Sequence, residues 1–191
     1  MATPILLLNC GSSSVKYQVI DADDEQVLAS GIIQRVGEES GTLDHTVGGE
    51  TFHVTRGFAD HDRALAFLVR TFQEHGPDLG LIKAVGHRTV HGGARFRETT
   101  LIDDAVVDGL RELSPLAPLH NPPGIAGIEA ARKALPDIPH VAVFDTAFFS
   151  TLPAEAYTYA IDAELARTHG IRKYGFHGTS HSYVSKKAAE V

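Results

Sequence analysis

Residues Ile5 to Asp21 read ILLLNCGSSSVKYQVID. An apolar run meets a short polar hinge, Asn9-Cys10-Gly11-Ser12-Ser13-Ser14, and the chain turns apolar again. The reading is strand, tight turn, strand, over Ile5–Asn9 and Val15–Ile20. An ordinary hairpin requires neither three consecutive hydroxyls nor an asparagine. A phosphate-binding P-loop requires G-x-x-x-x-G-K-[ST] feeding a helix. This hinge has one glycine and feeds a strand, so it is not a P-loop. A tight turn still offers backbone N–H groups and Ser hydroxyls to a phosphate, with Lys16 close by as a point charge. A plain Ser-rich turn is the alternative.

Working outward, Gln26–Val36 reads as a third strand, with Val27, Ala29, Gly31 and Ile33 on one parity. Thr42–Val47 and Thr51–Thr55 flank Gly48-Gly49-Glu50, a hairpin signal. Asp60–His75 places Leu65, Leu68, Val69 and Phe72 at i, i+3, i+4 and i+7, one buried helical face, and Gly76-Pro77 stops it. Leu81–Val90 reads as a strand and Asp103–Leu113 as a helix. A Pro-rich loop, Leu116 to Gly124, opens a helix over Pro123–Ala134. Pro139–Asp145 is a buried strand, and Ala163–His169 and Ser180–Glu190 are helical. A meander followed by βα units predicts an α/β fold, a mixed sheet with helices against it.

The 191 residues carry a formal net charge of −7 and 43% hydrophobic residues. With no Lys/Arg block, an anionic partner such as nucleic acid or a lipid surface is not expected. No apolar run reaches the roughly 20 residues of a membrane span. The start, MATPILLLNC, lacks a basic leader region and a small-residue cleavage site. Cys10 is the only cysteine, so no internal disulfide forms, and the expected location is cytoplasmic.

Three further segments carry chemistry. In Gly86-His87-Arg88-Thr89-Val90-His91-Gly92-Gly93, alternation puts His87, Thr89 and His91 on one face and Arg88 with Val90 on the other. A guanidinium beside an apolar side chain suits a small anion with an apolar tail, and a surface Arg on an edge strand is the alternative. Asp145 ends a buried strand, where α/β sheets place ligands or where an Asp caps the next helix. Tyr174-Gly175-Phe176-His177-Gly178 puts a histidine in a Gly-flanked loop before a helix. The His-x3-His pairs His87/His91 and His177/His181 lack a Cys partner and an H-E-x-x-H glutamate, which disfavours zinc. No G-x-S-x-G elbow supports a Ser-His-Asp hydrolase.

In their order and spacing, LNCGSSSVKY, AVGHRTVHGG, APLHNPPGIAGI, VAVFDTAF and YGFHGTSHSYV resemble the acetate/propionate kinase family. That family lies within the actin-like, ribonuclease-H-like phosphotransferase superfamily. The resemblance runs from Ile5 to the last residue. It implies a ribonuclease-H-like mixed sheet flanked by helices and reversible phosphoryl transfer between ATP and acetate, giving acetyl phosphate and ADP. Propionate or butyrate is the rival acceptor. It implies Mg2+ (or Mn2+) as cofactor and a cytoplasmic homodimer for the full-length enzyme. By resemblance, Asn9 places the metal. Ser12 and Lys16 approach the nucleotide phosphates, and Arg88 binds the carboxylate or acyl phosphate. Val90, Leu119 and Phe176 wall the methyl pocket with His120 beside it, Asp145 is the catalytic carboxylate, and His177 stabilises the transition state.

Acetate is already ionised near pH 7, so Asp145 has no proton to remove from it. Its expected role is to orient the acceptor or a water on the metal. The resemblance also implies two units. Residues 1–148 form an acyl-binding lobe, and residues 149–191 begin a second, nucleotide-binding lobe that is incomplete here. The remainder of the family's length supplies a second phosphate loop, a second catalytic arginine, the adenosine site and an acidic metal ligand. Lys186 to Val191 holds no helix stop, so the expectation is an N-terminal half with little turnover alone.

Overall fold

The computed structural model describes residues 2–191. Eight strands form one mixed sheet: β1 Pro4–Cys10, β2 Ser14–Asp21, β3 Val27–Gln34, β4 Gly41–Val47, β5 Glu50–Arg56, β6 Ala84–Thr89, β7 Thr100–Leu101 and β8 His140–Phe144. Six helices accompany them: α1 His61–His75, α2 Asp104–Glu112, α3 Asn121–Ala134, α4 Ala154–Tyr157, α5 Ala163–Thr168 and α6 Gly178–Ala189. The strand order is β5-β4-β3-β2-β1-β6-β8-β7. β1 to β5 run antiparallel as a meander, and β1, β6 and β8 are parallel neighbours. This is the mixed α/β sheet expected from the chain order.

Parity decides the two faces. Leu6 and Leu8 of β1, Val15, Tyr17 and Val19 of β2, and Val85 of β6 are buried against Ala64, Leu65, Leu68 and Phe72 of α1 and Ala130 and Ala131 of α3. Each fully buried Leu, Val or Phe side chain among them contributes about 1.5–3 kcal/mol. A second cluster, including Phe96, Val107, Leu110, Ile128 and Phe144, lies under α2 and α3. The alternate residues, among them Asn9, Lys16 and Arg88, project to the opposite face, which stays open as a cleft.

Local signals set most of the boundaries. Asp60 caps α1 by accepting from the Arg63 N–H, and Asp103 caps α2 by accepting from the Val106 N–H. Gly48 and Gly49 both take positive φ, 59° and 85°, which a two-residue hairpin turn needs between Val47 and Glu50. Three readings shift. The strand expected from Leu81 starts at Ala84, because Asp78 caps a 3₁₀ turn over Leu79–Leu81 through the Gly80 N–H. α3 starts at Asn121, ahead of Pro122 and Pro123, whose missing N–H groups cost nothing in a first turn. The two-residue β7, paired antiparallel to β8, is too short to leave a periodic signal. Residues 151–191 contribute one buried residue, Gly178. No helix of the described residues is long and apolar enough to cross a membrane.

Two buried histidines tie β6 to β8. His140 Nε2 donates to the Leu135 carbonyl at 3.0 Å, which leaves its Nδ1 to accept from His87 Nε2 at 2.9 Å. A proton on His140 Nδ1 would set two donors face to face, so that ring is neutral, and burial disfavours the charged form of His87. Burial, with His140 adding to it, pushes His87 down to about 3, and burial lowers His140 as well. A folded-state pKa below the unfolded value of 6.5 means that the unfolded chain binds more protons. The stabilisation is complete above about pH 6.5 and is lost as pH falls towards the folded value. Urea titrations of His87→Gln between about pH 6 and 4 are expected to show an acid slope shallower than the parent's by about 1.4 kcal/mol per pH unit. An unchanged slope would remove His87 from the acid transition.

Candidate active site

The site forms where β1, β6 and β8 end and α6 begins. Asp145 follows β8, and its backbone N–H donates to the Thr89 carbonyl at 2.9 Å, which holds it beside the end of β6. Its side chain is 1% exposed, against 35% for Arg88. Arg88 meets it with one edge of the guanidinium: Nη2 donates to Oδ2 at 2.6 Å and Nε to Oδ1 at 3.3 Å. Thr179 Oγ1 adds a third donor to Oδ1 at 3.0 Å. An isolated carboxylate at this depth would be strongly disfavoured, and three donors, two of them charged, compensate.

The other edge of the guanidinium faces Asn9 and His177. Nη1 reaches Asn9 Oδ1 at 3.4 Å, and Nη2 reaches His177 Nδ1 at 3.4 Å. An arginine only donates, so His177 Nδ1 accepts and the neutral ring carries its proton on Nε2. That ring is 72% exposed. Lys16 lies directly across the β1–β2 ladder from Asn9. Asn9, Lys16, Arg88 and Thr179 line one cleft of about 660 Å³ on the open sheet face. Four of the expected site residues, Asn9, Arg88, Asp145 and His177, thus converge through direct contacts, with Lys16 beside them.

His177 sits in the left-handed region, φ 55°, ψ 31°, an unfavourable conformation for a residue with a Cβ. Such strain persists where surrounding contacts over-determine it. Here the following Gly178 N–H donates to the Asp145 carbonyl at 3.0 Å. The approach is so close that a Cβ on Gly178 would lie 2.0 Å from that oxygen. The start of α6 is therefore fastened to Asp145 by both its backbone and its side chain.

The expected pocket residues are less tightly gathered. Val90 is half-buried, and Phe176 packs edge-on to His91 with centroids 6.0 Å apart. Leu119 is 78% exposed, and His120 is exposed at the head of α3. Ser12 is exposed in its turn. Three supporting residues were not singled out from sequence. Thr179 holds Asp145. Asn121, fully buried, brackets His91 by donating to its carbonyl at 3.1 Å and accepting from its N–H at 3.3 Å. Thr146 accepts from the Gly92 N–H at 3.0 Å. Thr179 and Asn121 lie inside the quoted YGFHGTSHSYV and APLHNPPGIAGI, next to residues that were chosen.

Among the described residues no three His, Cys, Asp or Glu side chains group as a metal cage. A magnesium ion asks for less. It keeps most of its waters and substrate phosphate oxygens and takes only one or two protein oxygens. The Asn9 amide oxygen, on the cleft beside Arg88, suits that.

Gly178→Ala is expected to lower stability by about 1–3 kcal/mol through overpacking. It should also accelerate amide exchange at Gly178 and Thr179 as α6 lifts from Asp145. Gly124→Ala, in α3 with open space around it, is the control, expected to be neutral or stabilising by under about 1 kcal/mol. Urea denaturation of both variants checks the pair.

Residues 4–191 match the model of the acetokinase family. The chain is 54% identical over 189 residues to acetate kinase of Clavibacter sepedonicus, covering 98% of this chain and 48% of that protein. It is 51% identical over 191 residues to acetate kinase of Thermotoga maritima, covering 98% and 47%. The crystal structure of Porphyromonas gingivalis acetate kinase superposes with a TM-score of 0.90 at 43% identity, over 99% of this chain and 49% of that one. A propionate kinase from Francisella tularensis subsp. tularensis SCHU S4 superposes with a TM-score of 0.91 at 39% identity, over 98% and 48%. The chain thus spans about half the length of the relatives it matches. With the family model matched over nearly the whole chain, this protein belongs to the acetokinase family.

Proposed function

We propose that this chain provides the acyl-substrate side of an acetate kinase site, which moves a phosphoryl group reversibly between ATP and acetate to give acetyl phosphate and ADP. One observation carries the reading. Arg88 is fixed along one edge by a buried carboxylate and presents its other edge between Asn9 and His177. A guanidinium edge pairs in plane with a carboxylate or a phosphoryl group.

Phosphoryl transfer is mostly a matter of positioning and charge stabilisation. In this reading Arg88 holds the acetate oxygen in line. The bond from the terminal phosphorus to the ADP oxygen breaks as the bond to acetate forms, and no proton changes hands. His177, with Nε2–H free, donates to the equatorial oxygens of the moving group. Asp145 acts by orienting Arg88 rather than as a base. The Ser12 turn and Lys16 take the nucleotide phosphates. Val90 and Phe176, with Leu119 and His120 at the rim, enclose the methyl group. Asn9 is the residue we assign to Mg2+ (or Mn2+), which when bound neutralises phosphate charge.

We also assign residues 1–148 to an acyl-binding lobe and residues 149–191 to the beginning of a nucleotide-binding lobe. The near-absence of buried residues after residue 150 supports this division. A homodimer for the full-length enzyme is part of the proposal on family resemblance. A cytoplasmic location is proposed on the single, unpaired Cys10. Propionate is the second reading, favoured by the likeness to the Francisella propionate kinase. One methylene is worth only about 1–3 kcal/mol of discrimination. The ratio of kcat/KM for the two acids decides which acceptor is preferred.

The test joins residues 1–191 to the remaining length of the family and follows acetyl hydroxamate formation. Arg88→Ala is expected to raise the acetate KM by at least about tenfold, and an unchanged KM removes Arg88 from the substrate role. His177→Ala is expected to lower kcat by about 10²–10³ with a smaller change in KM.

A further inference from the structure

The turn between β1 and β2 is held open in an unusual way. The Gly11 N–H donates to the Ser14 carbonyl at 2.8 Å. Among the described residues the return bond from the Ser14 N–H to the Gly11 carbonyl, which would close an ordinary two-residue turn, is not made. The Gly11 carbonyl accepts instead from Nε2 of His61, at 2.8 Å and fifty residues further along the chain. The Ser13 carbonyl is taken from the other side by the Val36 N–H at 2.9 Å.

Two of the turn's carbonyls are thus tied back by groups outside it. The N–H groups of Ser12 and Ser13 make no hydrogen bond among the described residues, and neither do the hydroxyls of Ser12, Ser13 and Ser14. Consecutive free N–H groups in a non-helical turn form an anion-binding concavity. A carbonyl oxygen left free in such a turn would repel a phosphate, and an imidazole N–H bound to it offsets that charge. His61 is itself well placed for the task. It is half-buried at the first position of α1, and Asp60 anchors that helix end by accepting from the Arg63 N–H at 2.7 Å. Since Gly11 O only accepts, Nε2 of His61 carries the proton, and the bond survives protonation of the ring.

We propose that His61 is a positioning residue for nucleotide phosphate: by holding the Gly11 carbonyl, it keeps the Ser12 and Ser13 N–H groups free for the anion. This inference rests on the phosphate reading of the turn given above. His61 touches neither substrate nor the moving phosphoryl group, so its effect falls on nucleotide binding and not on the acetate side of the cleft.

The experiment uses the joined full-length enzyme with MgATP and acetate varied separately. His61→Ala, and His61→Phe as a volume-preserving variant without the donor, are expected to raise the MgATP KM by about tenfold and to leave the acetate KM unchanged. His61→Gln, whose amide N–H2 can reach the same carbonyl, is expected to restore the MgATP KM to within about threefold of the parent. Equal MgATP KM values in parent, Ala and Phe variants overturn the inference. So does a Gln variant no better than Ala, because a merely structural role would not distinguish a donor from its absence. Ser12→Pro, which deletes one free N–H and leaves the His61 bond in place, separates the two readings. If Ser12→Pro raises the MgATP KM and His61→Ala does not, only the His61 inference falls. If Ser12→Pro leaves it unchanged, the phosphate reading of the turn falls, and the inference with it.

Discussion

A single buried carboxylate organises this molecule. Asp145 lies at the end of β8 with its side chain 1% exposed, where an unpaired charge would cost several kcal/mol. Its donors come from different parts of the chain, Arg88 from β6 and Thr179 from α6. Satisfying one charge therefore also aligns the guanidinium, fixes the parallel strands at their carboxyl ends and fastens the last helix to the sheet. The strained backbone at His177 is tolerated because Gly178 is bound to Asp145 on its other side. The site and the seam of the fold are the same set of contacts.

The sheet divides its labour by parity. On one face, alternate residues of β1, β2 and β6 close a core with α1 and α3. On the other, the intervening residues form a cleft wall with Asn9, Lys16 and Arg88. His87 shows how strict the division is. It is the immediate neighbour of Arg88, yet it is buried and neutral, bonded to His140 behind the sheet. Two basic side chains one residue apart thus face a buried seam and the open cleft separately. A slip of one residue in β6 would exchange them and destroy both.

The relation to known acetate and propionate kinases fits this arrangement. The similarity covers nearly all of this chain and about half of each relative. The residues that converge here lie at the carboxyl ends of β6 and β8, and residues 151–191 pack against the sheet chiefly through the start of α6. Asn9, Lys16 and Arg88 line one cleft on the open face of the sheet.

Much of this was legible in the order of residues. The apolar run, polar hinge and second apolar run of Ile5–Asp21 set two strands, and the alternation in Gly86–His91 told which of its side chains share a face, because the side-chain period of a strand is 2. The capping aspartates Asp60 and Asp103 and the glycine pair at 48 and 49 set local boundaries, because each acts on groups only a few residues away. The quoted motifs named Asn9, Arg88, Asp145 and His177. Their meeting was decided only in three dimensions. The contacts span 57, 79 and 89 residues, and such separations leave no periodic trace. The same holds for the support of the site. Thr179 bonding Asp145, Asn121 bracketing His91 and His61 holding Gly11 are one or two long-range hydrogen bonds each, set by how the sheet twists and where a helix starts. Local chemistry determined which residues were able to act, and the packing of distant elements decided what each one faces.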